Sequence, residues 1–347
     1  MSTERAKKYA ESLRKAANIP IDIDEKVPLK LPDYADHDKI RRAQHVFREN
    51  FFAIFYSMYL GLVAILAIPS ILKVLIHTKG SSNDYKAYRR YMQTIFHTLS
   101  WFRNDLKPGT RAWDSIEAVR RMHLISNRSA HSAKVGIISQ KDLSITLFGF
   151  MGFSIITKEK IGLHATEQDI EDYCHFFRVL GYLTGIKDEY NICCDTMEET
   201  YERLEVIKNE FLRPALNSPP KEFPDMTRFI ANGMWCFNPR DTYDVMIFTM
   251  KRLVGVPNYW YTEDEIPKGC DRNKMELYKL STYSRFFNWF VAFIHEYLLQ
   301  FKIFRMFFNM QTLFHEFLIT TFPFLAIYSF GWNRAWVSIL DDGKKRK

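Results

Sequence analysis

The chain has 347 residues, 48 basic against 40 acidic, a net charge of +8, and 29 Phe with 18 Tyr. This length and apolar content suit one large helical domain or two modest ones, with apolar surface to spare. No arginine stripe interleaved with aromatics runs along a helix, which excludes a nucleic-acid binder; the five cysteines form no C-x-x-C pair, which excludes a disulfide framework or zinc site and reads as free thiols in a reducing compartment.

In chain order, Met1–Glu49 is dense in charge and lacks the apolar core of a cleaved secretory peptide. Residues 1–18 predict a charged helix, and Pro20, Pro28 and Pro32 make residues 19–36 an extended tether. From Asp38 a charged helix start leads into Phe51–Leu72, 22 residues without a charge. That run has the length of a membrane span and equally suits a buried core helix. Further helices are predicted at 85–104, 113–134 and 140–157, the last capped by Ser139 with Asp142 at its third position. Thr166-Glu-Gln-Asp169 opens a fifth that Gly185 stops, and a sixth runs from Asp195 or Thr196 to Arg213-Pro214. Residues 217–226 are Pro-rich and polar, the best internal boundary. The last stretch, 282–330, is very aromatic and ends in Phe317–Trp332, sixteen residues without a charge, which suits an interfacial anchor or a buried C-terminal helix.

The helix around His123 carries the sharpest functional signal. Ile116, Val119, Ser126 and Ala130 share the face of His123, apolar on one side and small on the other. The next helix bears Thr146, Gly149 and Gly152, and two facing small-residue stripes with an imidazole between them suit a flat ligand such as haem. Geometry alone permits this and equally permits an ordinary core histidine. His295-Glu296 and His315-Glu316 do not make H-E-x-x-H, and no Walker loop, G-x-S-x-G or dinucleotide fingerprint is present.

Several runs together resemble the haem-binding core of the rubber oxygenase (latex-clearing) family, which includes a fungal endoplasmic-reticulum oxygenase. They are Tyr88-Arg-Arg-Tyr-Met-Gln-Thr94, Val119-Arg-Arg-Met-His123, Ile138-Ser-Gln-Lys-Asp-Leu-Ser-Ile-Thr-Leu-Phe148 and His175-Phe-Phe-Arg-Val-Leu-Gly-Tyr-Leu-Thr-Gly185. The likeness covers roughly residues 45–215. It implies an all-α fold, globin-like in how its helices enclose a haem b, with His123 as the axial iron ligand and Arg120 near the haem. It also implies that Arg90 and Thr94 lie on the distal side, where oxygen and substrate are handled. His175 and Arg178, one turn apart, are candidates for a haem edge or propionate, and His97 for a second axial position. The implied activity is haem-dependent oxygenation of an isoprenoid or other unsaturated lipid, with attack on a C=C bond by O₂. The sequence departs from the family's polymer-cleaving members in two places. Where they have a basic carboxylate, Ile68–Leu75 has none, and where they have an arginine after the histidine, this chain has Asn127 and then Arg128.

The chain accordingly divides into a charged segment and tether at 1–44, a haem-binding core at 45–215, a C-terminal helical region at 216–335 with the apolar segment 317–332, and a basic tail at 336–347. Lys344-Lys-Arg-Lys347 resembles a dilysine retrieval signal, which together with the apolar runs points to an endoplasmic reticulum membrane or a cytosolic membrane surface. The missing carboxylate and the two long apolar segments keep open a membrane-associated lipid-binding protein of the same fold, and closure of the sixth position by His97 or another residue keeps open a haem sensor or carrier.

Overall fold

The computed structural model of the chain describes residues 3–238, 242–268, 270 and 272–340. All its regular elements are helical; no strand occurs among the described residues, only an isolated bridge between Pro20 and Ser139. The last seven residues, which carry the retrieval-like tail, lie outside the described ones.

Helix α1 (Glu4–Lys15) is capped by the Thr3 side chain and buries Leu13 against α7 and α10. The Pro-containing stretch after it is extended, as predicted, and is strapped to the body. Ile21 donates its N–H to Ile138 O at 3.0 Å and Asp22 to Gly185 O at 3.2 Å. Asp36 caps α2 (His37–Glu49), which turns sharply into α3 (Phe51–Ala64).

The 22-residue uncharged run does not form one helix. It breaks after Ala64 into a 3-10 turn, Ile65–Ala67, and resumes as α4 (Pro69–His77) with Pro69 in the first turn, where its missing N–H costs nothing. Nearly all of α3 is buried, so this run is core. No single helix among the described residues is long and apolar enough to cross a membrane; two bent pairs have the length and composition, α2 with α3 at 94° and the two at the C-terminal end at 53°.

Helices α5 (Asp84–Arg103), α6 (Arg111–Ser132) and α7 (Gln140–Ile156) follow close to their predicted bounds. After the short α8 (Lys158–Ile161), α9 (Glu167–Leu183) completes the centre. Both predicted N-terminal caps are full capping boxes, Ser139 with Asp142 and Thr166 with Asp169. The backbone leaves α9 at Gly185, whose φ of +96° favours glycine.

Helices α3 and α7 cross at very close range. A Cβ on Gly61 would stand 2.1 Å from Gly149 O, so only glycine allows this approach. This corrects the expectation that Gly149 and Gly152 face the His123 helix. Gly149 serves the α3 crossing, and Gly152 lies under the Phe148 ring, where a Cβ would meet it at 2.5 Å.

Beyond α10 (Met197–Val206) the helix continues through a π-type turn, Ile207–Leu212, into α11 (Arg213–Asn217). The Pro-rich stretch then turns the chain into α12 (Phe223–Met234), which packs on α5 so closely that a Cβ on Gly233 would meet Tyr88 N at 2.7 Å. Helix α13 (Tyr243–Val254) packs on α3 and α12, and α14 (Thr282–Ala292) packs on α13. The aromatic C-terminal region ends in α15 (Lys302–Thr321), α16 (Phe324–Phe330) and α17 (Trp332–Ala335). The result is one helical body with an aromatic-rich extension.

Candidate functional site

A cavity of about 610 Å³ opens between α4, α5, α6 and α7, with Leu180 of α9 and the turn after it at its floor. That volume lies within the range of small-molecule and cofactor sites. Its walls are mostly apolar, among them Leu62, Ile65, Leu66, Val119, Leu147 and Phe150. Its outer edge is basic, with exposed Lys79, Lys86 and Arg89.

His123 lies in this cavity, as do Arg90, Thr94 and His97. The His123 ring is half-buried, set into the body of the protein with part of its surface facing the open space. Burial, reinforced by the positive charges of Arg90 and Arg120, pushes its pKa down to about 4. The imidazole is therefore neutral at physiological pH, the form that ligates a metal. Its Nδ1 is buried with no hydrogen-bond partner. Such an orphan in a folded protein calls for a ligand, a water or an ion.

Arg90 is likewise half-buried, and burial lowers its pKa. Among the described residues no carboxylate pairs with its guanidinium, and Gly80 leaves it room, since a Cβ there would stand 3.1 Å from Nη1. Such a cation without an anion is costly unless a ligand supplies one. The Thr94 hydroxyl donates to Arg90 O at 3.1 Å and keeps its acceptor capacity for the cavity. His97 shares a hydrogen bond of 2.7 Å between Nδ1 and Ser115 Oγ, which also accepts from Trp101 Nε1 at 2.9 Å. Burial, then the nearby His123, lowers the His97 pKa to about 4.

Arg120, His175 and Arg178 do not line the cavity. Arg120 donates to Leu183 O at 2.6 Å, where a cation at the C-terminal end of α9 also meets the negative pole of that helix. It thereby ties the His123 helix to α9. His175 Nε2 accepts the Asp36 N–H at 3.0 Å, and Arg178 pairs with Asp195 while stacking over Tyr34 at 4.1 Å. Both side chains are used to hold the N-terminal strap against α9.

Sequence reasoning missed one acidic group. Asp142 is the only carboxylate lining the cavity among the described residues. It accepts from Ser70 Oγ at 2.6 Å, and Ser70 belongs to the very stretch that lacks a carboxylate. Asp142 was legible only as a helix cap, because nothing in the sequence brings residue 142 to residue 70. The basic rim had no signal either, its lysines looking like any solvated face.

Among the described residues, no three His, Cys, Asp or Glu side chains come together as a metal site. One neutral imidazole suits a metal whose remaining ligands come from a macrocycle.

The cavity thus brings together apolar walls, a histidine whose Nδ1 has no partner and, among the described residues, an arginine with no paired carboxylate, in an all-helical protein. The chain belongs to the family described as ER-bound oxygenase mpaB/B'/rubber oxygenase, catalytic domain, whose model matches residues 45–269. That match continues past residue 215, where the legible motifs stop, and includes every candidate site residue named above. Among solved structures, latex clearing protein LCP in the closed state has a similar fold, with a TM-score of 0.55 and 15% identity over 89% of this chain and 90% of that one. No curated protein matches the chain.

Proposed function

We propose that this chain is a haem b-dependent oxygenase acting on an isoprenoid or other unsaturated lipid, in which His123 would hold the haem iron. The observation that carries the reading is the neutral, half-buried and unpartnered imidazole of His123 in an apolar cavity, within a family of oxygenases. The residues fit the group. A flat macrocycle needs an apolar slot, one imidazole and a cation for a propionate, and the cavity offers all three.

Bound haem supplies the O₂ chemistry that no side chain possesses. His123 holds it as a neutral donor, and Arg120 fixes the helix that carries His123. Arg90 pairs with a propionate or with an anionic group of the substrate. The Thr94 hydroxyl, one helical turn from Arg90 on α5, could accept a hydrogen bond there. Leu62, Ile65, Leu147 and Phe150 orient an apolar chain and exclude water, which strengthens the polar contacts inside. Attack falls on a carbon–carbon double bond of that chain. Membership of a family described as ER-bound supports a site of action at the endoplasmic reticulum membrane.

A second reading is favoured by one observation: Asp142 is already committed to Ser70 and to the α7 cap, which leaves no free carboxylate on the cavity wall among the described residues. On that reading the protein binds a lipid without oxidising it. An absorption spectrum of the purified, haem-supplemented protein separates the two. A Soret band that His123→Ala abolishes while helical content is kept supports the oxygenase, and no band with co-purified lipid supports the binder.

A further inference from the structure

Helix α15 has two opposite apolar faces. Phe308, Thr312 and Ile319 are buried against the body, where Asn309 also donates to Glu49 O at 2.8 Å and accepts from Phe52 N at 2.9 Å. The other face carries Ile303, Phe307, Met310, Phe314 and Phe317, spaced four, three, four and three residues apart, and all five are exposed. Phe307 is 61% exposed and Met310 66%. The surface continues through Trp289 of α14 and Tyr328 of α16. A helix facing water carries polar residues on that side, and a contiguous apolar area of this kind marks an interaction surface.

The charges of the segment say what covers it. Residues 282–340 contain two carboxylates, Glu296 and Glu316. Both turn inward: Glu296 pairs with Arg252 at 2.5 Å and Glu316 with Arg103 at 2.7 Å. The exposed charges of the segment, Lys302 and Arg334, are positive. A second copy docked symmetrically on this face would bring like charges together. An anionic lipid surface meets both the aromatic area and the basic residues. The helix pair α15 and α16 is bent by 53°, and no single helix among the described residues is long and apolar enough to cross a membrane.

The far end of the segment is fastened to the cavity wall. Tyr88 donates to Ala335 O at 2.6 Å, the Phe330 ring packs on Tyr88 at 5.1 Å, and Gln93 donates to Ser338 O at 3.3 Å. Gln93 lines the cavity on α5 beside the basic rim residues Lys86 and Arg89.

We propose that the outer face of α14–α16 docks in the plane of an anionic phospholipid membrane, which sets the basic rim of the His123 cavity against the lipid. An apolar substrate then passes from the bilayer into the cavity along α5; this second part rests on the lipid-oxygenase reading. The docking itself does not.

The test is flotation of the full chain with phosphatidylcholine vesicles, with and without phosphatidylserine. The wild type is expected to float with the serine-containing vesicles and to bind them roughly tenfold more tightly than neutral ones. The double substitution Phe307→Glu with Phe314→Glu is expected to lose binding, while Phe307→Leu with Phe314→Leu keeps it. Both variants retain the wild-type melting temperature, because the side chains touch solvent. A wild type that stays unbound, a Glu variant that binds as well as wild type, or equal binding to neutral vesicles overturns the proposal. A dimer in detergent-free buffer that the Glu substitutions split also overturns it, in favour of a second copy. Vesicle binding needs no cofactor, so a protein that floats but shows no Soret band sinks the haem reading and leaves the docking intact.

Discussion

The Ser70 hydroxyl donates to the Asp142 carboxylate at 2.6 Å, joining the start of α4 to the start of α7 at the wall of the His123 cavity. The same carboxylate closes the α7 capping box with Ser139. Asp142→Asn keeps the shape and removes the charge. Loss of one charge-assisted cap costs about 1 kcal/mol, so a modest drop in melting temperature is expected. If Asp142 also acts on substrate, turnover falls far more than stability does. Unchanged turnover would assign Asp142 to structure alone.

How much of this was legible follows from the range of each interaction. The capping boxes at Ser139 and Thr166 were readable because they span three residues. The placement of Arg90, Thr94 and His123 in one cavity was reached only through resemblance, since the two helices meet by tertiary packing. Gly149 was misassigned for the same reason: a small residue announces a close approach but not which helix approaches. The uncharged run 51–72 read as a span by length, yet Pro69 and the buried faces of α3 break it and fold it inward. His175 and Arg178 were drawn to the cavity by their spacing, whereas Asp36, Tyr34 and Asp195 already occupy them.

Arg90 is the second test of the cavity. Its guanidinium has no paired carboxylate among the described residues, and burial lowers its pKa. Replacing it with Met removes an uncompensated buried charge, so the ligand-free protein should melt at the same or a higher temperature. The same change removes a charged hydrogen bond to a bound anion, worth about 1.5–3 kcal/mol, or roughly ten- to a hundredfold in affinity. Haem titration followed by absorbance measures that loss. A variant that melts lower and binds haem as tightly as wild type would show that Arg90 is a structural residue.

The α3–α7 crossing predicts an asymmetric pair of glycine effects. A Cβ on Gly61 would meet Gly149 O at 2.1 Å, whereas one on Gly149 would stand 3.2 Å from Gly61 O. Gly61→Ala must therefore push two backbones apart, an overpacking cost of about 3 kcal/mol or more, while Gly149→Ala asks a shift of a few tenths of an ångström. Thermal melts of the two variants should rank them in that order. Equal melting temperatures would mean that the helices separate freely.

Acid should unfold this protein through its buried histidines. His295 lies between the rings of Phe52 and Tyr56, at 5.0 and 4.7 Å, with Nδ1–H donating to Ile161 O at 2.8 Å. The adjacent charges, Glu296 and Arg252, neutralise each other at 2.5 Å. Burial, only partly offset by the Ile161 hydrogen bond, lowers the His295 pKa to about 4, below the 6.5 of a free imidazole. The unfolded chain thus binds the proton more readily than the folded one. Stability from this group is complete above pH 6.5 and is lost as the pH falls towards 4, on the order of 3 kcal/mol in all. His295→Gln keeps the donor to Ile161 and cannot titrate. It should cost stability at neutral pH, and its gap from wild type should narrow steadily below pH 6.5. A gap that stays constant between neutral and acidic melts would show that His295 does not take up the proton on unfolding.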